Sequence, residues 1–264
     1  LARFSTDYLV NGTIAALFIC GGLGFTVLFE IKEWLFRRRN RLSLHARLVL
    51  IINALLLLTA TLLVLVLEQG NPQTMAPLTF GEKIFAAFFT AATPRTAGFI
   101  IFPVEHFRMP TLVIMMALMF IGASPASTGG GVKTTTLALV VIAMVAVIRG
   151  RREPVLMKRR LALTQVLKAV TILVMAAGLI FTTTLILTIM ENHDFMDLLF
   201  EAVSAFGTVG LSIGITPELG PISKAALILT MFAGRIGPLT LFIALARPRR
   251  EDGLQYPEEK LLIG

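Results

Sequence analysis

Cysteine is almost missing. The single one in 264 residues, Cys20, lies inside an apolar run, so neither a disulfide nor a cysteine metal cluster forms within the chain, and packing is its expected role. Histidine is scarce as well. His45, His106 and His193 fall in or beside different connections and share no ligand spacing such as H-E-x-x-H, which argues against a histidine metal site. Charge is the third shortage: 15% of residues are charged against 56% hydrophobic, and a mean hydropathy of +0.82 is more than the surface of a water-soluble domain tolerates. The chain also has no initiator methionine and no signal-peptide pattern, so Leu1 reads as a cut end.

Long apolar stretches take the place of these residues. Runs at 9–31, 48–67, 109–148, 163–190 and 222–246 reach the roughly 20 residues that a helix needs to span the hydrocarbon core. The third is too long for one simple span. The net charge of +8 is gathered between them: Lys32, Arg37, Arg38, Arg39, Arg41 and Arg47 in one connection, Arg149, Arg151, Arg152, Lys158, Arg159 and Arg160 in the next, Arg247, Arg249 and Arg250 after the last. Glu68, Glu105, Glu191, Asp194 and Glu218 lie at the opposite ends. The positive-inside rule therefore puts the basic loops and the polar 251–264 tail in the cytoplasm and residue 1 outside. Basic residues that flank spans without interleaved aromatics mark membrane topology, not a nucleic-acid footprint. The lipid bilayer is the expected partner, and no nucleic acid.

Thr96-Ala97-Gly98-Phe99 and Thr208-Val209-Gly210-Leu211 are copies of one motif 112 residues apart. Met119-Phe120-Ile121-Gly122 and Met231-Phe232-Ala233-Gly234 repeat at the same offset, which marks an internal duplication. Each copy of the first motif follows an apolar piece, 84–92 or 195–204, that at about 1.5 Å per residue reaches only partway into a bilayer. Such a piece must re-enter and turn back, and non-helical backbone at that depth survives only when buried in protein or lining a watery cavity. Both units read as helix, pore helix, loop, helix.

Potassium filters replace an ion's water shell with backbone carbonyls, and Thr-x-Gly is suited to such a lining. Glycine widens the choice of backbone conformation, and threonine offers a carbonyl or hydroxyl oxygen. The candidate ion-binding residues are Thr96, Ala97 and Gly98 with Thr208, Val209 and Gly210. Each loop has one glycine where TVGYG has two, so the motif leaves potassium and sodium both open. Glycine, serine and proline in 122–136 break the over-long third run, and a break there requires a neighbouring cavity. The stretch is not a Walker A loop, because Val132 separates Gly131 from Lys133 and no strand precedes it. Arg235 falls about midway along the last run, where an unpaired cation costs at least about 2.5 kcal/mol; a functional role is expected, with snorkelling as the alternative. Asp197 and Glu201, four apart, share one face of the second pore helix. They either concentrate cations or, as expected for Glu201, brace the filter by pairing with Arg95, while Asp197 is simply hydrated.

Thr93-Pro94-Arg95-Thr96-Ala97-Gly98-Phe99, Gly129-Gly130-Gly131-Val132-Lys133-Thr134-Thr135-Thr136, Phe206-Gly207-Thr208-Val209-Gly210-Leu211-Ser212 and Gly234-Arg235-Ile236-Gly237-Pro238 together resemble the Ktr/Trk/HKT superfamily of potassium transporters. The ending Tyr256-Pro257-Glu258-Glu259-Lys260-Leu261-Leu262-Ile263-Gly264 is similar to the C-terminus of the membrane subunit of Ktr systems. The resemblance implies an all-α polytopic membrane protein in which four pore units surround a pseudo-fourfold pore, and this chain matches only the end of the second unit plus the third and fourth. Residues 1–47 would be a closing helix and basic loop, 48–160 the third unit, and 161–264 the fourth with its tail; the other units would lie in sequence outside the chain.

In the family the stretch matching 122–136 is an intramembrane gate beneath the filter, which makes Gly129, Gly130 and Gly131 its hinge and Lys133 its charge. Arg235 matches a barrier arginine. The resemblance further implies potassium as the transported ion, sodium as an activator, a plasma-membrane location, a homodimer, and a cytoplasmic nucleotide-binding ring of the RCK type. No organic cofactor and no enzymatic reaction are expected. Two rivals are an alternating-access carrier, whose usual inverted repeats differ from these upright ones, and an intramembrane enzyme using Ser124 or Ser127 with Lys133.

Overall fold

A computed structural model describes residues 7–36, 41–151 and 153–237. Arg37, Arg38, Arg39, Arg152, Pro238, Arg247, Arg249, Arg250 and the 251–264 tail lie outside the described residues.

Helices α1 (Tyr8–Leu23), α2 (Phe25–Leu35), α3 (Leu44–Glu68), α4 (Phe80–Ala92), α5 (Met109–Phe120) and α6 (Thr134–Ile148) precede a small hairpin of β1 (Val155–Leu156) and β2 (Arg159–Arg160). Helices α7 (Leu163–Met190), α8 (Phe195–Gly207) and α9 (Pro221–Ile236) follow. Local chemistry sets several starts. The Ser43 hydroxyl accepts the Ala46 N–H at 3.1 Å, Thr79 and Glu82 cap each other reciprocally before α4, and α5 and α9 carry proline in the first turn, where a missing N–H is harmless.

By length and composition α3 and α7 suffice to cross a membrane, and α1 with α2 would make a third span if counted together. The unbroken helix expected from the 9–31 run does not form, because α1 and α2 meet at 103°. Gly24 sits at the bend with φ +93°, and a Cβ there would strike the Pro125 carbonyl. The bend is made by a distant loop: the Phe25 N–H donates to the Ala126 carbonyl at 2.8 Å and the Ser124 N–H to the Gly22 carbonyl at 3.0 Å. The 109–148 run is broken too, its helix stopping at Phe120 and resuming at Thr134.

The repeat is visible in space as α3–α4–loop–α5 and α7–α8–loop–α9. Helix α4 packs on α3 and α8 on both α7 and α9, while α5 packs on α8 and joins the two units. Met115, Met119, Phe200, Phe206 and Val209 are buried in that joint, with the Phe120 and Phe206 rings stacked 5.9 Å apart. In each unit a glutamate at the end of the first long helix holds the start of the last: Glu68 accepts the Arg108 N–H at 2.9 Å, and Glu191 accepts the Gly220 N–H at 2.7 Å. Arg108 and Gly220 are themselves 112 residues apart.

Glu68 is fully buried and also accepts from Asn71 (2.6 Å), Thr74 (2.8 Å) and the Thr111 hydroxyl. Four donors converge on an acceptor-only group. Glu68→Gln keeps the shape but turns one oxygen into a donor facing donors, leaving buried groups unpaired at a cost on the order of 3 kcal/mol. A fall in the thermal unfolding midpoint of the detergent-solubilised protein well beyond that of Glu191→Gln is the expected result.

Candidate ion pathway

Both Thr-x-Gly loops leave their short helices through the same backbone sequence of states. Thr96 (φ +66°) and Gly98 (φ +71°) are left-handed, as are Thr208 (φ +50°) and Gly210 (φ +85°), while Ala97 and Val209 between them are not. Non-glycine residues rarely adopt positive φ, so the strain at both threonines must be held by surroundings. Neighbouring hydrogen bonds hold it. The Ala97 N–H donates to Thr93 O at 3.1 Å and the Val209 N–H to Ser204 O at 3.0 Å. The hydroxyls of the same residues reach across each loop, Thr93 Oγ1 to Phe99 O at 2.5 Å and Ser204 Oγ to Leu211 O at 2.6 Å.

The loops lie against one another. Thr96 Oγ1 donates to Gly207 O at 3.3 Å, and Gly98 approaches the Val209 carbonyl so closely that no side chain fits between. Thr208 Oγ1 is buried and has no hydrogen-bond partner among the described residues, which leaves its lone pairs unused at the junction.

Beneath the threonines runs the 121–133 loop. A Cβ on Gly129 would stand 2.9 Å from Thr96 Oγ1, and one on Gly130 would collide with Thr208 Oγ1 and lie 3.0 Å from Gly207 O. The Gly131 N–H donates to Gly234 O at 3.3 Å. Two cations hold the loop's carbonyls: Lys133 Nζ donates to Gly129 O at 2.6 Å, and the Arg235 guanidinium to Thr128 O. Arg235 stands in the last turn of α9, where the carbonyl end of the helix also favours a cation, so it is not the isolated charge its place in an apolar run suggests.

The expected Glu201–Arg95 pair is not formed. Glu201 is turned into its own unit, where its carboxylate accepts from the Ser212 hydroxyl and from Thr216 Oγ1 at 3.0 Å and so ties down the chain just after the second loop. Arg95 keeps Nε and Nη2 buried and without partners among the described residues. Neither serine meets Lys133, since Ser127 Oγ donates to Ser124 O at 2.5 Å and Ser124 Oγ lies between Asn53 and Thr134. Asp197 lies in the first turn of α8, next to the positive end of the helix.

Thr93, Ser204, Asn53 and the Glu68 cluster were not legible as site residues in the sequence. Phe99 and Leu211 are in register at the 112-residue offset, but Ser204 is one place out of step with Thr93, which hides the pairing of their roles.

A helical bundle with two repeated units, each turning a short helix into a strained oxygen-rich loop, belongs to the class of all-α polytopic membrane proteins. The model of the TrkH cation transport protein family matches residues 1–251, and the chain belongs to that family. It is 42% identical over its whole length to Ktr system potassium uptake protein B of Vibrio alginolyticus and 40% identical to the protein of that name from Bacillus subtilis. It is also 35% identical to the potassium/sodium uptake protein NtpJ of Enterococcus hirae. The chain spans 58–59% of the length of these relatives. The solved potassium transporter TrkH of Vibrio parahaemolyticus superposes with a TM-score of 0.72 over 91% of this chain and 53% of that one, at 19% identity, which is likeness of fold.

Ser204→Ala removes the donor to Leu211 O, a hydrogen bond worth roughly 1 kcal/mol. Amide hydrogen exchange within 208–212 should quicken about fivefold while 96–99 is unchanged, and Thr93→Val should give the reverse pattern.

Proposed function

We propose that this chain forms the third and fourth pore units, with the closing helix of the second, of the potassium-translocating subunit of a Ktr/Trk-type uptake system. The observation that carries the reading is the matched pair of left-handed positions in each loop, Thr96 and Gly98 in the first and Thr208 and Gly210 in the second. Alternating the sign of φ turns successive carbonyls toward one side, and rings of such carbonyls can replace an ion's hydration shell. The unused Thr208 hydroxyl adds an oxygen at the inner end. Potassium is the cargo, a substrate passing through; no bond is made or broken. The relatives' names, potassium uptake protein B and potassium/sodium uptake protein, support potassium and leave sodium a place as activator.

In this reading the 121–133 loop is the gate. Gly129 and Gly130 fill the space directly under the two filter threonines, so an ion leaves the filter only when the loop withdraws. Arg235 and Lys133 act there together, repelling cations in transit and holding the loop by its carbonyls. Thr93, Ser204 and Glu201 brace the filter loops, and Arg95 awaits a partner from outside the described residues. The remaining pore units belong to sequence beyond this chain, as the 58% coverage of its relatives supports. Basic loops and C-terminus face the cytoplasm of the plasma membrane, where an RCK-type nucleotide-binding ring docks on a homodimer.

Rubidium and sodium uptake into vesicles holding the full-length transporter tests this. Gly98→Ser puts a side chain where the Val209 carbonyl stands and should cut the rubidium-to-sodium ratio by about tenfold, the equivalent of roughly 1.4 kcal/mol. Arg235→Ala should raise rubidium uptake roughly fivefold, as expected for a barrier of about 1 kcal/mol. Fluxes equal to wild type in both variants would refute the pore reading.

A further inference from the structure

Asn53 is a buried polar residue midway along α3, nine positions from its start and far from either filter loop in sequence. Its amide nitrogen is fully committed: Nδ2 donates one hydrogen to Val49 O at 2.6 Å and the other to Ser124 Oγ at 3.0 Å. Because Val49 O only accepts, the nitrogen must face this way. The Ser124 hydroxyl, accepting from Asn53, lies 3.1 Å from Thr134 Oγ1. Ser124 and Thr134 are both fully buried, and they stand at the two ends of the gate loop.

The loop is therefore closed at its neck. Backbone bonds run across the same place, from the Val132 N–H to Phe120 O at 3.1 Å and from the Thr134 N–H to Ala123 O at 3.4 Å. The tip is held separately, by Arg235 and Lys133. Among these contacts only Asn53 fastens the neck to α3, the first helix of the same unit.

We infer that Asn53 is a positioning residue of the gate: through Ser124 and Thr134 it pins the neck of the loop to α3 and so holds Gly129 and Gly130 under the filter threonines. This rests on the gate reading above. Removing the pin leaves the filter and the loop's own cations intact, so it should change how often the loop withdraws and not how the filter binds ions.

The test uses Asn53→Leu, Thr134→Val and Thr134→Ser in the full-length transporter, with two readouts. Maximal rubidium uptake should rise roughly fivefold in Asn53→Leu and Thr134→Val, the size of one lost hydrogen bond, with the half-saturating rubidium concentration unchanged. Thr134→Ser keeps the hydroxyl and should match wild type. A residue that merely packs predicts the opposite order, because valine preserves threonine's shape and serine does not. The double variant Asn53→Leu/Thr134→Val should exceed neither single one, since both cut the same chain.

Amide hydrogen exchange of 125–131, read without ion flux, should quicken in Asn53→Leu and Thr134→Val while 96–98 and 208–210 hold steady. If Asn53→Leu fails to fold, Ser124→Ala, which removes the hydroxyl between Asn53 and Thr134 and leaves α3 unchanged, carries both measurements. Unchanged exchange and unchanged maximal uptake would overturn the pin, as would a shift in half-saturation alone. Faster exchange in both variants of a protein whose wild type carries no rubidium would keep the pin and sink the transport reading instead.

Discussion

Peptide groups that leave a helix within a bilayer have no water to bond, and each must find a partner inside the protein. Three stretches of this chain leave the helix inside the packed bundle: the two Thr-x-Gly loops and the 121–133 loop against them. Side chains and distant backbone groups supply those partners. Thr93 and Ser204 serve the carbonyls of Phe99 and Leu211, Lys133 and Arg235 those of Gly129 and Thr128, and the bend between α1 and α2 supplies an N–H for Ala126. The bent helix, the cations and the glycines follow from one need.

Duplication explains how two loops come to be alike, and a departure from it places a third loop against both. The units share the short helix, the positive-φ threonine and glycine, and the glutamate that holds the last helix. Among the described residues, only the first of the two units has its last helix interrupted by a long loop and followed by a second helix. That one loop lies against both Thr-x-Gly loops, with Gly129 set against Thr96 and Gly130 against Thr208. Three consecutive glycines at 129–131 are what allow backbone to lie so close under two hydroxyls. A single element touching both loops can act on both together.

Much of this was readable beforehand because it depends on local pattern. The short helices, the loops after them, and the break in the 109–148 run follow from apolar length and from the positions of glycine and proline. The bend at Gly24 did not, since an apolar run with four glycines is compatible with a continuous helix and the bend is imposed by Pro125 and Ala126, about a hundred residues on. Glu201 misled for a related reason. Opposite charges invite pairing on paper, but Ser212 and Thr216 reach its carboxylate first because the chain after the loop folds back over α8.

By itself the sequence determined the membrane setting, the two repeated units, the oxygen-rich loops and the interruption between them, because hydropathy, repeat offset and helix-breaking residues act over short stretches of chain. Tertiary structure alone decided the partners: Asn53 with Ser124, Arg235 with Thr128, Gly130 under Thr208. Such contacts join residues 71 to 107 positions apart, and hydrogen-bond geometry selects among many polar groups only once packing has fixed where each one stands.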